Sequence, residues 1–548
     1  MEIYYCKLSY KGVVLMQTMI RKENLSYNKS DYQTEPFLNL SDPNVVKKIR
    51  DAIDFAESNL GKEYPLFIGG KEYYSNNKIK SINPGDFSQV VGVFQDASIE
   101  QAESAVNAAY EAFKTWSKLD VYQRAHIFFR AANILRQRRF EAIAWMILEV
   151  GKNYAEADAD VAETIDYLEY YAQQMIELYE NKPKLLKFPG EKNYYHYLPL
   201  GVVLVIPPWN FPLAIPAGMS IAALVTGNTV ILKPANDSCF MSYFFYSIMK
   251  EAGLPDGVLN FLSGRGSVVG DYLVKHPLVR MIAFTGSKEV GINIYKEASI
   301  VRPGQKHLKR VIAEMGGKNA IIVDDIKDEE FLNYAVNSVL VSAYGYQGQK
   351  CSACSRLLLH KNIYDKFMNL FVEKVKNIEV GLPKENKFMG PVINKAAQDK
   401  ILEYIEIGKK QNKLVFGGSK LLEDKGYYIQ PTIFEDVKVN DVIAQEEIFG
   451  PVLAVMKFED FNQAIDIANS TEYGLTGAVF SENRYNIDKA VKDFYCGNLY
   501  INRKCTGAIV GVHPFGGFNM SGTDAKAGGP DYLLYFLQGR SVSEKIDF

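Results

Sequence analysis

The 548-residue sequence has no surplus of basic charge: 62 Lys and Arg stand against 64 Asp and Glu, a formal net charge of −2. Neutralising nucleic-acid phosphates needs such a surplus, so that partner class is not expected. No apolar run approaches the roughly 18 residues of a membrane span, so no membrane partner is expected either. The first residues, MEIYYCKLSYKGVVLMQTMI, lack the charged start, clean apolar stretch and small-residue cleavage site of a secretory leader. Met16 and Met19 within them are alternative starts. Cysteine is sparse: Cys6, Cys239, Cys351, Cys354, Cys496 and Cys505 are scattered over a chain too large to need a disulfide framework. Reduced thiols in the cytoplasm, one of them reactive, are the expectation. No second C-x-x-C accompanies Cys351–Cys354, and the six histidines show no zinc-ligand spacing, so no metal is expected. There is also no fixed-period repeat and no low-complexity linker. A chain this long without linkers predicts interleaved domains, two to four at roughly 150 residues each.

What is present reads as an α/β protein. Residues 41–60 form a polar helix pattern, and PLFIGGKEYY after it is an apolar run with a Gly-Gly turn, which predicts a short hairpin. Residues 98–150 are strongly helical, with Ser98 as N-cap and Gln101 at the capping-box position. Helical character continues over 152–180 until Pro183 and Pro189 break it. From 194 on, short β-branched runs bounded by Gly and Pro (YYHYLP, GVVLVIPP, NTVILKP, RMIAFTG, NAIIVDD, RLLLH) are separated by helical stretches. That alternation predicts βαβ units and a mostly parallel sheet. Residues 505–530 are Gly-rich with little helical periodicity, and the terminal LLYFLQGRSVSEKIDF reads as a strand and tail.

Several residues could carry chemistry. In Gly348-Gln349-Lys350-Cys351-Ser352 the small flanking residues allow a substrate close to the sulfur, and a thiolate is a stronger nucleophile than a serine hydroxyl. A cysteine is nonetheless more often buried and inert, and the C-x-x-C spacing is also that of a redox pair. Glu314, in AEMGGKNAIIV, is a carboxylate in apolar company, where a raised pKa suits a general base; a surface glutamate is the plainer alternative. Asn210, held in PPWNFP, is a candidate oxyanion donor, although Asn is common in Pro-rich turns. Two segments suit a nucleotide. Gly264-x-Gly266-x-x-x-Gly270 misses the dinucleotide spacing by one residue; Phe284-Thr285-Gly286-Ser287 follows a strand-like run and puts Gly and Ser at a strand-to-helix turn. Lys233 after NTVIL and Glu447 in EEIFGP could bond riboses, or be ordinary surface residues.

Taken in order from about residue 60 to the end, PPWNFP, ILKPA, FTGS, EMGGKNA, GQKCS, EEIFGP and PFGGFNMSG resemble the aldehyde dehydrogenase superfamily. A narrower resemblance, to the L-glutamate γ-semialdehyde (1-pyrroline-5-carboxylate) dehydrogenases of proline breakdown, is carried by GQKCSACSR, TGAIVGVHPFGGFNMSGTDAKAGGPDYL, PLFIGGK, EVGKNYAEADADVAE and EYYAQQM. The resemblance implies a Rossmann-type cofactor domain (59–187 and 205–316), an α/β catalytic domain (317–516), a small β oligomerisation extension (188–204 and 517–548) and an N-terminal arm (1–58). It implies Cys351 as nucleophile, Glu314 as general base, and Asn210 with the Cys351 N–H as oxyanion hole. Lys233 and Glu447 would hold the riboses and Gly286 and Ser287 the pyrophosphate, with Gly264, Ile206, Pro207, Trp209 and Phe449 completing the cofactor site. Ser352, Gly507 and Ala508 would anchor a substrate carboxylate, and Phe211 and Phe515 would flank its chain. One position departs from the pattern. Where many NAD-preferring relatives carry a glutamate that repels a 2′-phosphate, this sequence has Asn236. NAD, with NADP as a second cofactor, is therefore expected. Oxidation of a different acidic aldehyde such as succinate semialdehyde, or a catalytically silent scaffold, remain the alternatives. The resemblance also implies a homo-oligomer, a dimer or an assembly of dimers.

Overall fold

The computed structural model describes residues 32–547. The alternative starts Met16 and Met19, Cys6 and the arm up to residue 31 lie outside the described residues. The polar helix is Pro43–Glu57, with Pro at its start and the Asp42 carboxylate accepting from the Asn44 N–H. The Gly-Gly turn closes the hairpin Leu66–Ile68 with Lys71–Tyr73; Gly69 and Gly70 sit at φ 59° and 79°, which side-chain-bearing residues rarely adopt. The helical stretch 98–150 is three helices, Ile99–Trp116, Val121–Gln137 and Arg139–Val150. Ser98 and Gln101 form the expected capping box. Gly151 ends the third helix at φ 71°, and Asn153 caps the next, Tyr154–Glu180.

Two seven-stranded sheets carry the molecule. The first runs in the order Arg310–Glu314, Val279–Thr285, Val202–Ile206, Thr229–Leu232, Leu259–Phe261, all parallel, with the Leu66–Tyr73 hairpin on its far edge. Helices cover both faces, so Val202, Val203, Leu204 and Val205 are all buried and read as one apolar run rather than alternating. The second sheet runs Lys413–Phe416, Thr432–Glu435, Val452–Phe458, Cys354–His360, Asn319–Val323, Thr476–Phe480, Asn498–Ile501 and is parallel except at its first edge. The run containing YYHYLP joins neither sheet. It is Glu191–Pro199, paired antiparallel with the terminal strand Leu537–Lys545. Its tyrosines are half-buried on both faces, which suits a two-stranded arm better than a sheet interior.

The first sheet's order decides where a site can form. From Val202–Ile206 the chain builds outward through Thr229–Leu232 and Leu259–Phe261, then returns to place Val279–Thr285 on the other side of Val202–Ile206. Strand order thus reverses between these two neighbours, and the crevice beyond their carboxyl ends is where open α/β sheets bind ligands. Ile206, Lys233, Gly286 and Glu314 all lie at or just past carboxyl ends of this sheet.

Candidate active site

Cys351 follows helix Glu329–Tyr344 and a tight turn, Gly345–Gly348, and precedes strand Cys354–His360. Within the turn Tyr346 and Gln347 adopt φ 50° and 56°, left-handed values that cost residues with side chains about 1–3 kcal/mol each. Gly348 follows at φ 68°, where an added Cβ would lie 2.3 Å from the Gly450 carbonyl oxygen. Asn319 fastens the far side of the cysteine, its amide donating to the Cys351 and Ala353 carbonyls at 2.7 and 2.8 Å.

Two cavities share Cys351. One, of about 110 Å³, is lined by Phe211, Phe515, Ser352, Gly507, Ala508 and Glu163, among others. The second, of about 220 Å³, is lined by Trp209, Asn210, Gly286, Ser287, Glu447 and Phe449, among others. Cys351, Thr285 and Met315 line both. Burial pushes the Cys351 thiol up to about 12; the Glu447 and Glu314 charges add to the rise, and the Ser352 and Cys351 N–H groups pull it part-way back.

Glu314 closes strand Arg310–Glu314 and faces the first cavity. Burial holds its carboxyl well above the usual carboxylate range, against the opposing pull of the Gly517 N–H, which donates to Oε2 at 3.3 Å. Its Oε1 is buried with no partner among the described residues. The glycines of PFGGFNMSG make room for it: a Cβ on Gly522 would stand 2.9 Å from Oε1. Asn210 is 4% exposed, donates from Nδ2 to the Gln349 carbonyl at 3.0 Å and lines the second cavity together with Cys351.

At the second cavity, Ser287 caps helix Lys288–Ser299, so Gly286 and Ser287 stand at a helix N-terminus where backbone N–H groups meet anions. A Cβ on Gly286 would lie 2.6 Å from the Phe284 ring. Glu447 accepts from the Gly317 N–H at 2.8 Å and burial raises its pKa. Trp209 and Phe449 meet edge to face at 5.5 Å. Other expected cofactor residues line neither cavity. Lys233 lies just past Thr229–Leu232, buried, with Nζ donating to the Pro234 carbonyl at 2.9 Å. The π-helical turn Gly266–Gly270 packs against it, a Cβ on Gly270 falling 3.6 Å from Lys233 Cδ. The Asn236 Oδ1 is buried and has no partner among the described residues. Ile206 ends its strand and Pro207 is buried. Gly264 packs under Val269 and Ala97, a Cβ there falling 2.7 Å from Val269 Cγ2. A helix N-terminus, two carboxylate or amide acceptors and a buried lysine with spare hydrogens fit a dinucleotide. Cys354 is 2% exposed, and the five described cysteines are free thiols. Among the described residues no group of three His, Cys, Asp or Glu could hold a metal ion.

A profile of the aldehyde dehydrogenase family matches residues 72–542. The chain belongs to the aldehyde dehydrogenase family. This aldehyde dehydrogenase is 53% identical to the 1-pyrroline-5-carboxylate dehydrogenase of Geobacillus thermodenitrificans (strain NG80-2), over 94% of this chain and 99% of the relative. It is 50% identical to that of Bacillus subtilis (strain 168), with the same coverage. Its fold superposes with a TM-score of 0.92 on a solved 1-pyrroline-5-carboxylate dehydrogenase from Thermus with bound NAD, 45% identical over 94% of this chain and 99% of that one.

Sequence reasoning missed Glu163. It lies on helix Tyr154–Glu180, three residues after the buried Asp160 and four before the buried Tyr167, and faces the first cavity. Burial and the neighbouring Asp160 charge push its carboxyl up to about 8. The signal was present: acidic residues recurring on the inner face of an otherwise apolar helix are costly and call for a reason.

Proposed function

We propose that this aldehyde dehydrogenase oxidises L-glutamate γ-semialdehyde to L-glutamate, with NAD as cofactor and NADP as a second one. The observation that carries the reading is that Cys351 lines both cavities, so one sulfur can meet an aldehyde from one side and a cofactor from the other. The Cys351 sulfur bonds to the aldehyde carbon as its thiol proton passes to water in the cavity. The oxygen, now anionic, is held by the side-chain amide of Asn210 and the Cys351 N–H; losing one such donor costs roughly 100- to 1000-fold. Nicotinamide, when bound, would supply the acceptor for the hydride of the adduct's C–H bond, and Cys351 is then left carrying the acyl group as a thioester. Glu314 then takes a proton from water, the hydroxyl oxygen adds to the thioester carbon, and the sulfur departs as the acid is released. Lys233 and Glu447 would hold the riboses, and Gly286 and Ser287 the pyrophosphate. We assign 59–187 and 205–316 to the cofactor domain, 317–516 to the catalytic domain and 188–204 with 517–548 to an extension that joins subunits, the arm preceding them. The free thiols support a reducing, cytoplasmic setting. No helix among the described residues is long and apolar enough to cross a membrane.

The substrate end is tested by two substitutions. Glutamate γ-semialdehyde carries a carboxylate and an ammonium; Ser352 and the Gly507–Ala508 loop face the first, and Glu163 the second. A hydrogen bond to a charged group contributes about 1.5–3 kcal/mol, so each loss should cost roughly ten- to a hundredfold. Ser352→Ala is expected to lower kcat/KM for glutamate γ-semialdehyde by this factor and that for propanal far less. Above about pH 8, where its carboxyl is charged, Glu163→Gln is expected to do the same while sparing succinate semialdehyde, which has no ammonium. A carboxyl that titrates at about 8 is neutral below that pH and charged above it. The preference for the amino-bearing aldehyde should therefore climb from about pH 7 to about pH 9 in the parent and stay flat in Glu163→Gln. Parallel losses on all aldehydes would place both residues in support of the nucleophile instead.

The cofactor reading rests on Asn236, whose amide cannot repel a phosphate by charge. Measurable NADP turnover is expected, and Asn236→Glu should shift the NAD-to-NADP ratio of kcat/KM toward NAD by about tenfold or more, since like charges within about 8 Å near a protein surface repel by about 2 kcal/mol or more. A parent with no detectable NADP turnover overturns the argument from this position.

A further inference from the structure

Lys152 belongs to neither cavity, yet it sits between the two segments the reaction must bring together. It lies in the break between helices Arg139–Val150 and Tyr154–Glu180 and is fully buried, as is Asp160, whose Oδ2 is 2.6 Å from Lys152 Nζ. The other oxygen of Asp160 accepts from the Ala214 N–H at 2.7 Å, at the start of helix Ala214–Val225. The ammonium also lies 4.1 Å above the Phe211 ring and 5.0 Å from the Tyr346 ring. Phe211 follows Asn210, the oxyanion donor; Tyr346 begins the left-handed pair of residues that leads to Cys351.

The backbone around Lys152 holds the same turn. Tyr346 Oη donates to the Val150 carbonyl at 2.9 Å, and Gln347 Nε2 donates to the Gly151 carbonyl at 3.3 Å and to that of Pro391 at 2.7 Å. Two consecutive residues with side chains persist in left-handed conformations only where their surroundings over-determine them, and Val150–Lys152 supplies much of that restraint. A cation shared by two ring faces in a dry setting attracts both. The carboxylate beside it keeps the charge compensated and fixes the chain just past Phe211.

We propose that Lys152, paired with Asp160, is a positioning residue that sets the Asn210–Phe211 segment and the Tyr346–Cys351 turn in mutual register, so that oxyanion donor and nucleophile converge on one aldehyde. The inference rests on the roles given above to Asn210 and Cys351. Removing Lys152 alone strands a buried carboxylate and can unfold the chain, so the test is the double variant Lys152→Met, Asp160→Asn. Methionine fills the same space without charge, and the asparagine carbonyl still accepts from the Ala214 N–H. The expected result is a fall in kcat of about tenfold to a hundredfold with propanal and with glutamate γ-semialdehyde alike. KM, melting temperature and the number of titratable thiols should stay near parental values; a merely structural pair would move the last two and leave kcat per active site intact. A folded double variant with parental kcat overturns the proposal. Should the double variant not fold, Tyr346→Leu, which removes one ring face together with the Oη bond to Val150 and keeps both charges, must lose kcat by a similar factor, with Tyr346→Phe, which keeps the ring, losing less; parental kcat in Tyr346→Leu overturns it equally. A parent inert toward every aldehyde would fault the proposed function rather than Lys152.

Discussion

Cys351→Ala is expected to abolish aldehyde oxidation, by at least about 10⁴-fold, while Cys354→Ala keeps most of it. The two thiols are three positions apart and differ in what they can reach. Cys354 begins a strand inside the second sheet, is 2% exposed, and contacts the Arg356 carbonyl at 3.4 Å. Burial and the neighbouring Cys505 hold its pKa well above that of an ordinary thiol. Cys351 alone of the pair lines the cavities. Its thiol, pushed up to about 12, is almost wholly protonated at pH 7 in the chain without ligands. Alkylation of Cys351 by iodoacetamide, followed by mass spectrometry, should therefore accelerate about tenfold per pH unit from about pH 7 to about pH 10, because only the thiolate reacts. A flat profile would mean that the thiol is already ionised, and equal losses in the two alanine variants would revive a paired-thiol reading.

Local chemistry made much of the fold legible. The Ser98–Gln101 capping box, the Gly69–Gly70 hairpin turn and the apolar runs that became parallel strands are each decided by neighbours within a few residues. The breaks inside 98–150 were not legible. Asp120 starts the second helix and Arg138 parts it from the third, but alanines and leucines on either side keep helical spacing across those breaks. The run containing YYHYLP is as β-prone as its neighbours, and only a partner more than 300 residues away in sequence makes it an antiparallel arm. For the site, the glycines stood out through their motifs, although most of what leaves them no room for a side chain is distant: Gly348 meets Gly450 and Gly522 meets Glu314, while Gly286 alone meets a near neighbour, Phe284. Glu163 showed only the weak signal of an acidic residue on a buried helix face, and Lys152 showed none, because what makes them matter is distant. One faces a cavity built mostly by other segments, and the other lies against Phe211 and Tyr346.

Glu314→Gln is expected to separate the two halves of the reaction. Reduced cofactor should appear in a burst of about one equivalent per active site as the thioester forms, followed by a steady state slowed roughly 10²- to 10⁴-fold, the usual contribution of a positioned general base. The structure gives three reasons to expect a selective loss. Glu314 lines the first cavity with Cys351, and its Oε1 is turned to no partner among the described residues, so a proton acceptor stands ready for water. Its carboxyl is held well above the usual carboxylate range, so once ionised it is a stronger base than a surface carboxylate. Glutamine has the same shape, and Gly516 and Gly522 already make room for it. The sign of the pH dependence follows. A base with a raised pKa is neutral at low pH, so thioester hydrolysis in the parent should rise as pH climbs through that raised value, and the glutamine variant should lack the rise. Damage to the nucleophile can be told apart from loss of the base, because the Glu314 charge raises the Cys351 pKa. Removing it should leave iodoacetamide alkylation of Cys351 as fast as in the parent or faster. Hydroxylamine, which attacks a thioester without help from a base, should restore turnover as the hydroxamate. A variant with no burst, slow alkylation and no response to hydroxylamine would show that Glu314 holds Cys351 in place, and hydrolysis would need another base.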